Sequence, residues 1–505
     1  MSGAQVARNA TFAMVQVILS AAALLFTYWL LLRALSVAQI GLWSLIVGST
    51  MVARLSEMGL GAGVMRFVAG DLASGRPQYA ARTIGMAGLA ATALVGALAL
   101  VVEPFLHGYL LRITPPELHG AVDVLLPAAL LGVVLTTAGN VVLAAIDGCQ
   151  RMDLRACLAI GSSLIQLGMT WFVLPRWGLL GLGLVQVVQA GALLLAGLVT
   201  MAWLLRRPLR DYLGFERARF REMVVYGGGL QVSAIAQMLF EPLLKVLLTA
   251  YSGLTLTGYF DMANRIVLQF RSLIVAAYTA LVPHVAALSG SGQLKPAQLR
   301  AIYCESCAVL LYVVLPYFAC LAAALPLTLT LWKGQFDHAF LAVALLQCAA
   351  WLLNMLNLPS YLLNVGTGEL RWNIASHVVI ALGCLVLGPL LGELAGGVGV
   401  LGVGAAAMVL GSLLVPLAFH HRHDLALADL VPARNLAALL LVLAAFVATA
   451  ALAARTAVPG WALLTALPVL TVAAALILAW RNPMRARVMA RLPVLQRLVG
   501  SVEPR

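Results

Sequence analysis

Fourteen long apolar runs, parted by short stretches of Gly, Pro and charge, decide what this chain can become. They lie near residues 9–32, 40–68, 83–106, 121–146, 156–175, 179–204, 222–250, 255–288, 301–325, 338–363, 373–391, 398–419, 436–453 and 461–480. A membrane-crossing helix needs about 20 apolar residues, and each run supplies roughly that length. Composition agrees: 62% of the 505 residues are hydrophobic and 10% charged, too few to coat a water-facing surface that normally holds about 25% charge. Disorder and soluble multidomain enzymes are excluded, and little chain remains for a large soluble domain. The expected fold is an all-α polytopic membrane protein of about 14 transmembrane helices. The second and eighth runs are the longest and are interrupted by charge, so they are expected to run past the lipid or to bend.

The net charge of +13 would suggest nucleic-acid binding in a soluble protein. In a polytopic one, Lys and Arg gather in cytoplasmic loops and set topology. With the amino terminus inside, 23 of the 32 Lys and Arg fall in inner loops and ends, 5 in outer loops and 4 within spans. Both termini are therefore expected in the cytoplasm, with no nucleic-acid partner. The first run is long and lacks a small-residue cleavage site, so it is expected to stay as a span. Seven cysteines show no framework spacing, and Cys304 and Cys307 belong to a helical pattern that suits packing.

An internal repeat organises the runs. Gly41-Leu42-Trp43 recurs as Gly258-Tyr259-Phe260 at an offset of 217, Gly148 as Gly366 at 218, and Gly178, Gly181 and Gly183 as Gly399, Gly402 and Gly404 at 221. Shared order and slow drift point to two six-helix halves, 1–206 and 222–420, joined by a basic linker at 207–221. Helices 13 and 14 (436–480) and a basic tail (481–505) lie outside the repeat. Six is even, so the halves have one orientation and are expected to relate by a pseudo-two-fold along the membrane normal. Facing halves enclose a central cavity suited to alternating access.

Charge inside these runs narrows the function. A charge at mid-bilayer costs about 2.5–3.5 kcal/mol or more, so such groups face a partner or a wet cavity. Arg54 and Glu57 sit one turn apart in the second run, Glu241 and Lys245 at i, i+4 in the seventh, and Asp261 and Arg265 at i, i+4 in the eighth. The latter two pairs are explained as well by simple pairing as by function. Arg54 and Arg271 stand 217 apart, so the repeat offers an arginine at equivalent positions. Arginine's planar fork suits phosphate or carboxylate, while snorkelling to the interface is the structural alternative. The candidate substrate-binding residues are Arg54, Arg271, Arg265, Asn264 and Glu57. Glu57, Glu241 and Asp261 are the candidate ion-coupling carboxylates, and Arg66 is placed at a cytoplasmic gate. Gln16, Gln231 and Gln237 are polar neighbours that serve equally as helix–helix hydrogen bonds. The glycine run Gly59 to Gly63 suits close packing, since no strand precedes it. His420, His421 and His423 read as a solvated loop, not a metal site. No catalytic constellation, nucleotide motif or cofactor signature is present, so uphill transport would draw on an ion gradient, a membrane potential or a downstream pull.

The opening stretch Leu35-Ser36-Val37-Ala38-Gln39-Ile40-Gly41-Leu42-Trp43-Ser44, with Leu55-Ser56-Glu57-Met58-Gly59-Leu60-Gly61 and Arg66-Phe67-Val68-Ala69, resembles polysaccharide-transport (O-antigen) flippases. These belong to the multidrug/oligosaccharidyl-lipid/polysaccharide (MOP) exporter superfamily, with multidrug/toxin-extrusion (MATE) exporters and lipid II flippases. Here Glu57 takes the acidic place, displaced by Met58 from the commoner Asp-x-Gly arrangement. The resemblance implies a MATE-like fold and movement of a polyprenyl-pyrophosphate-linked oligosaccharide across a bacterial inner membrane. Its implied partners are that glycan, membrane lipids, a glycan polymerase and glycosyltransferases. Cavity cations of such flippases engage pyrophosphate and acidic sugars, which assigns that role to Arg54 and Arg271. Only three lysines are present, so a dense lysine lining is missing. A cation-coupled multidrug exporter and a lipid II flippase are the alternatives within the superfamily. A membrane-bound polymerase or transferase, or a scaffold in glycan assembly, is the alternative outside it.

Overall fold

The structure, a computed structural model, describes residues 3–50, 60–214, 216–278, 295–333 and 337–426, with 285, 440 and 444 as single positions. Among them the regular elements are helices, with no strand. In chain order they are α1 (Gly3–Ala34), α2 (Val37–Thr50), α3 (Leu60–Ala73), α4 (Pro77–Ile113), α5 (His119–Gly148), α6 (Met152–Trp177), α7 (Gly181–Leu205), α8 (Arg217–Tyr278), α9 (Pro296–Lys333), α10 (His338–Met355), α11 (Leu358–Thr367) and α12 (Arg371–Arg422). Seven stretches among the described residues are long and apolar enough to cross a membrane, which makes this a multi-pass membrane protein. Apart from the single positions 440 and 444, helices 13 and 14 and the basic tail lie outside the described residues, as do Arg54 and Glu57.

Two of these helices each hold two expected spans. At 62 and 52 residues, α8 and α12 would reach about 93 and 78 Å if straight, against a hydrocarbon core of about 30 Å. Each is broken by a glycine in a conformation that a side chain resists: Gly253 at φ 78°, ψ −178° and Gly396 at φ 60°, ψ −149°. Gly178, between α6 and α7, has φ 52° and ψ −134°. Its backbone match is Gly396, 218 residues on, and not Gly399, the counterpart expected at an offset of 221.

The tenth run corrects one expectation. It is not a single helix over 338–363, because α10 ends at Met355 and α11 begins at Leu358. Pro359, with no N–H to donate, occupies the first turn of α11, where its loss goes unfelt. The histidines correct another. His420 is not in a solvated loop but buried in the last turn of α12, where its Nε2 lies 2.8 Å from the Tyr303 hydroxyl. The Tyr303 and Phe419 rings pack against each other at a tilt, 4.6 Å between centroids, and make that burial favourable.

The chain forms two compact units, Met1–Leu273 with His377–Gly404, and Ile274–Ser376 with Ala405–Arg505. In the first, α5 is the hub, packed on α2, α3, α4, α6 and α7, while α1 lies along α6. In the second, α9 packs on α10 and α11, and Tyr303, Leu363 and Phe419 share a core.

The basic linker is anchored rather than loose. Arg219 pairs with the buried Asp71 of α3, donates from Nε to Thr83 Oγ1 of α4 at 2.9 Å, and lies over the Phe67 ring at 5.4 Å. Met223 continues this seam into the core of Val64, Ala81, Met86 and Val142. Counting Arg219 only as a topology signal therefore understates it. Asp71→Ala is expected to cost about 1.5–3 kcal/mol locally, as for a lost charged hydrogen bond. Trypsin should then cut faster at Arg206 and Arg210, Arg207 being shielded by the proline that follows it. An unchanged cutting rate would mean that other contacts hold the linker.

Candidate functional site

The site begins where α2 crosses the second arm of α8. Neither helix has room for a side chain there. A Cβ on Gly41 would stand 1.9 Å from the Leu254 carbonyl oxygen, and one on Gly258 would stand 2.5 Å from that of Val37. Gly41 and Gly258 are 217 apart, and so are Val37 and Leu254. Each contact is thus the exchange of the other, the self-complementary pattern that a two-fold produces. Small residues serve this purpose inside membranes, where close backbone approach replaces the hydrophobic effect as the source of helix association.

About one to two turns from that crossing, four charged side chains meet in one network. Asp261 is its centre. The Lys245 ammonium donates to Asp261 Oδ1 at 2.6 Å, while the Tyr28 hydroxyl donates to Oδ2 at 2.6 Å and Arg265 Nε to the same oxygen at 3.0 Å. Lys245 also holds Glu241 Oε1 at 2.6 Å. The Asp261 and Lys245 side chains are 2% and 1% exposed, whereas Glu241 and Arg265 keep about a third of their surface open. The four charges sum to zero, and each carboxylate oxygen of Asp261 is satisfied. These conditions make ion burial tolerable, since a buried ion otherwise costs several kcal/mol. The expected pairs Glu241/Lys245 and Asp261/Arg265 are both formed, but Lys245 fuses them.

The repeat is chemically lopsided here. Subtracting 217 from Glu241, Lys245, Asp261 and Arg265 gives Leu24, Tyr28, Ser44 and Gly48. All the charge is on the later copy. Tyr28 and Lys245 are equivalent positions, and both donate to Asp261. Ser44, the counterpart of Asp261, is buried with no hydrogen-bond partner for its Oγ among the described residues. Gly48 leaves the space that the Lys245 stem fills, its position for a Cβ being 3.1 Å from Lys245 Cδ.

Arg265 links this network to a cavity of about 250 Å³ within the first unit. Its polar wall includes Thr27 and Tyr28 of α1, Thr136 of α5, Ser162, Gln166 and Thr170 of α6, and Gln186 and Gln189 of α7, with Trp43 of α2 beside them. Apolar Leu24, Leu31, Leu182 and Leu193 complete it.

Of the candidate residues, Asp261, Arg265 and Glu241 come together, with Asn264 buried beside them on α8. Arg271 does not join. It is half-buried six residues beyond Arg265, about 9 Å along the helix, and close enough to His377 of α12 to interact electrostatically. Arg66 is exposed on α3, and Gln16 is half-buried on α1. The side chains of Gln231 and Gln237 lie outside the described part of α8. Tyr28 and the cavity glutamines were not singled out from sequence. The offset from Lys245 points to Tyr28, and Gln186 and Gln189 share a helix face at i, i+3.

Residues 124–339, which include the whole α8 part of the network, match the family model described as "Polysaccharide biosynthesis protein". No curated protein sequence matches the chain. Among solved structures, an inward-facing multidrug resistance MATE family transporter of the MOP superfamily is similar at TM-score 0.64 and 14% identity, covering 82% of this chain and 98% of that one. The lipid II flippase MurJ in an inward closed conformation is similar at TM-score 0.62 and 12% identity, over 92% and 98%. A MOP superfamily transporter from Pyrococcus furiosus, described as having a binding pocket of reverse polarity, gives 0.56 and 14%, over 84% and 96%. At these identities the likeness establishes the fold.

Proposed function

From a chain with the MOP-superfamily transporter fold and a polysaccharide biosynthesis match over residues 124–339, we propose a flippase that moves a polyprenyl-pyrophosphate-linked oligosaccharide across a bacterial inner membrane. The observation that carries this proposal is Arg265, a guanidinium held by Asp261 at the edge of a polar cavity inside a membrane bundle. A fixed cation beside hydroxyls and amides suits a phosphorylated, hydroxyl-rich headgroup. Arg271, with Arg54 assigned by the repeat, supplies further positive charge for the pyrophosphate. Glu57 and Arg66 keep supporting roles in the cavity and at the cytoplasmic gate, and both termini are assigned to the cytoplasm. The halves 1–206 and 222–420 would alternate access to the two leaflets, and glycosyltransferases and a polymerase would act before and after the step.

A multidrug exporter of the same fold is disfavoured by the state of Asp261, one of its three candidate carboxylates with Glu57 and Glu241. Asp261 already accepts bonds from Tyr28, Lys245 and Arg265, so a coupling cation would have to break that set. The test is reconstitution in liposomes with labelled lipid-linked oligosaccharide. Wild type should move the label to the opposite leaflet. Arg271→Ala should abolish movement and surface glycan while leaving the protein in the membrane. Full transport by that variant would remove Arg271 from the site, and export of organic cations with no glycan movement would replace the proposal with the exporter.

A further inference from the structure

The cavity beside Arg265 has more polar chemistry than helix packing requires. In a lipid-embedded bundle, an uncharged polar side chain ordinarily finds a partner on a neighbouring helix. Gln189 does, donating from Nε2 to Ser162 Oγ at 3.2 Å, and Thr136 and Thr170 turn their hydroxyls back onto carbonyls of their own helices. Gln186 does not. Its Oε1 is buried and has no hydrogen-bond partner among the described residues, a costly state for an amide unless something else fills it. Gln166 lines the same wall, and its side chain makes no hydrogen bond among the described residues.

Arg265 adds the second observation. Its Nε is committed to Asp261 Oδ2, and no bond is formed by its Nη atoms within the described residues. Those two nitrogens carry donors in a planar fork, directed from a residue that borders the cavity. Because Asp261 is shared with Lys245 and Tyr28, the guanidinium is fixed in place before any ligand arrives.

Size and shape then limit the guest. At about 250 Å³ the space falls just under the range of about 300–1,000 Å³ typical of sites for drug-sized ligands. It excludes an oligosaccharide but admits a single ring. Two glutamines offer both donors and acceptors, as vicinal hydroxyls demand, and Trp43 gives an aromatic wall for the apolar face of a pyranose. We infer that this cavity is a subsite for one sugar ring bearing a single anionic group, with Gln186 and Gln166 reading its hydroxyls and Arg265 its charge. The assignment of that ring to the transported glycan rests on the flippase proposal; the binding chemistry does not. The anion has two sources, the phosphate at the reducing end or the carboxylate of an acidic sugar.

The test is calorimetric titration of the purified full-length protein with glucose 1-phosphate, glucuronate, glucose and inorganic phosphate. At least one of the two charged sugars should bind ten times tighter than glucose and ten times tighter than inorganic phosphate. Preference for glucose 1-phosphate assigns the reducing end, and preference for glucuronate assigns an acidic sugar within the chain. Gln186→Leu and Gln166→Leu should each weaken that binding about tenfold with the unfolding temperature held or raised. A merely structural glutamine would lower it instead. Inorganic phosphate binding as tightly as the sugar phosphate, glucose binding as tightly as either, unaltered binding in both variants, or no binding at all would each overturn the subsite. Liposome transport measured in parallel separates the two proposals. Sugar binding without glycan movement sinks the flippase and leaves the subsite, whereas glycan movement without sugar binding sinks the subsite alone.

Discussion

Asp261→Ala should be the most damaging single substitution in the chain. It removes the acceptor shared by Tyr28, Lys245 and Arg265 and strands a fully buried ammonium beside a half-buried guanidinium. Breaking a buried ion pair from one side costs about 3–5 kcal/mol, chiefly because the surviving charge has nowhere to go. Glu241 can hold Lys245, but it stands at the rim and reaches no other donor of the set. The monodisperse fraction surviving a heat step in detergent should therefore collapse for Asp261→Ala. The double variant Glu241→Gln/Lys245→Met removes one charge of each sign and keeps the Asp261–Arg265 bond, so it should lose far less. Equal losses in the two proteins would mean that packing, not charge balance, sets the cost.

Gly41→Ala should come second, by a different route. One methyl group would lie 1.9 Å from the Leu254 carbonyl oxygen, a backbone atom that cannot swing aside, so α2 and α8 must part. Overpacking usually costs about 1–3 kcal/mol, and a clash with backbone belongs at the top of that range. Gly258→Ala, at 2.5 Å from the Val37 carbonyl oxygen, should be the milder of the two. Gly70→Ala, with nothing within 4 Å, is the control and should transport like wild type. Liposome transport and recovery from membranes read all three. Normal transport by Gly41→Ala would show that the crossing tolerates a wider spacing.

The helical class and most spans were legible because a run of about 20 apolar residues has few other fates. The repeat was legible from three sets of glycines, and the contacts of Gly41 and Gly258 show why glycine is needed at that register. Other features left no such mark. The break before Leu358 costs two residues of helix and no hydropathy, so the tenth run looked unbroken. His420 looked solvated because its partner, Tyr303, is 117 residues away. The two pairs on α8 were visible at i, i+4 spacing, but their fusion through Lys245 depends on how sharply the chain folds back at Gly253. Gln186 and Gln166 were illegible for a simpler reason. A glutamine in an apolar helix reads alike whether it meets a neighbour or a ligand, and for Gln186 only the unanswered carbonyl oxygen separates the cases.

The uneven sharing of charge about the α2–α8 crossing has a consequence for ancestry. A dimer assembled from two early copies would set tyrosine against serine there and hold no ion at all. One assembled from two late copies would put an arginine at the place of Gly48, the slot already taken by the Lys245 stem. Neither parent could be recovered by simple doubling. In a single chain the two copies are free to differ, and here the charged set of the later one fits against the uncharged residues of the earlier.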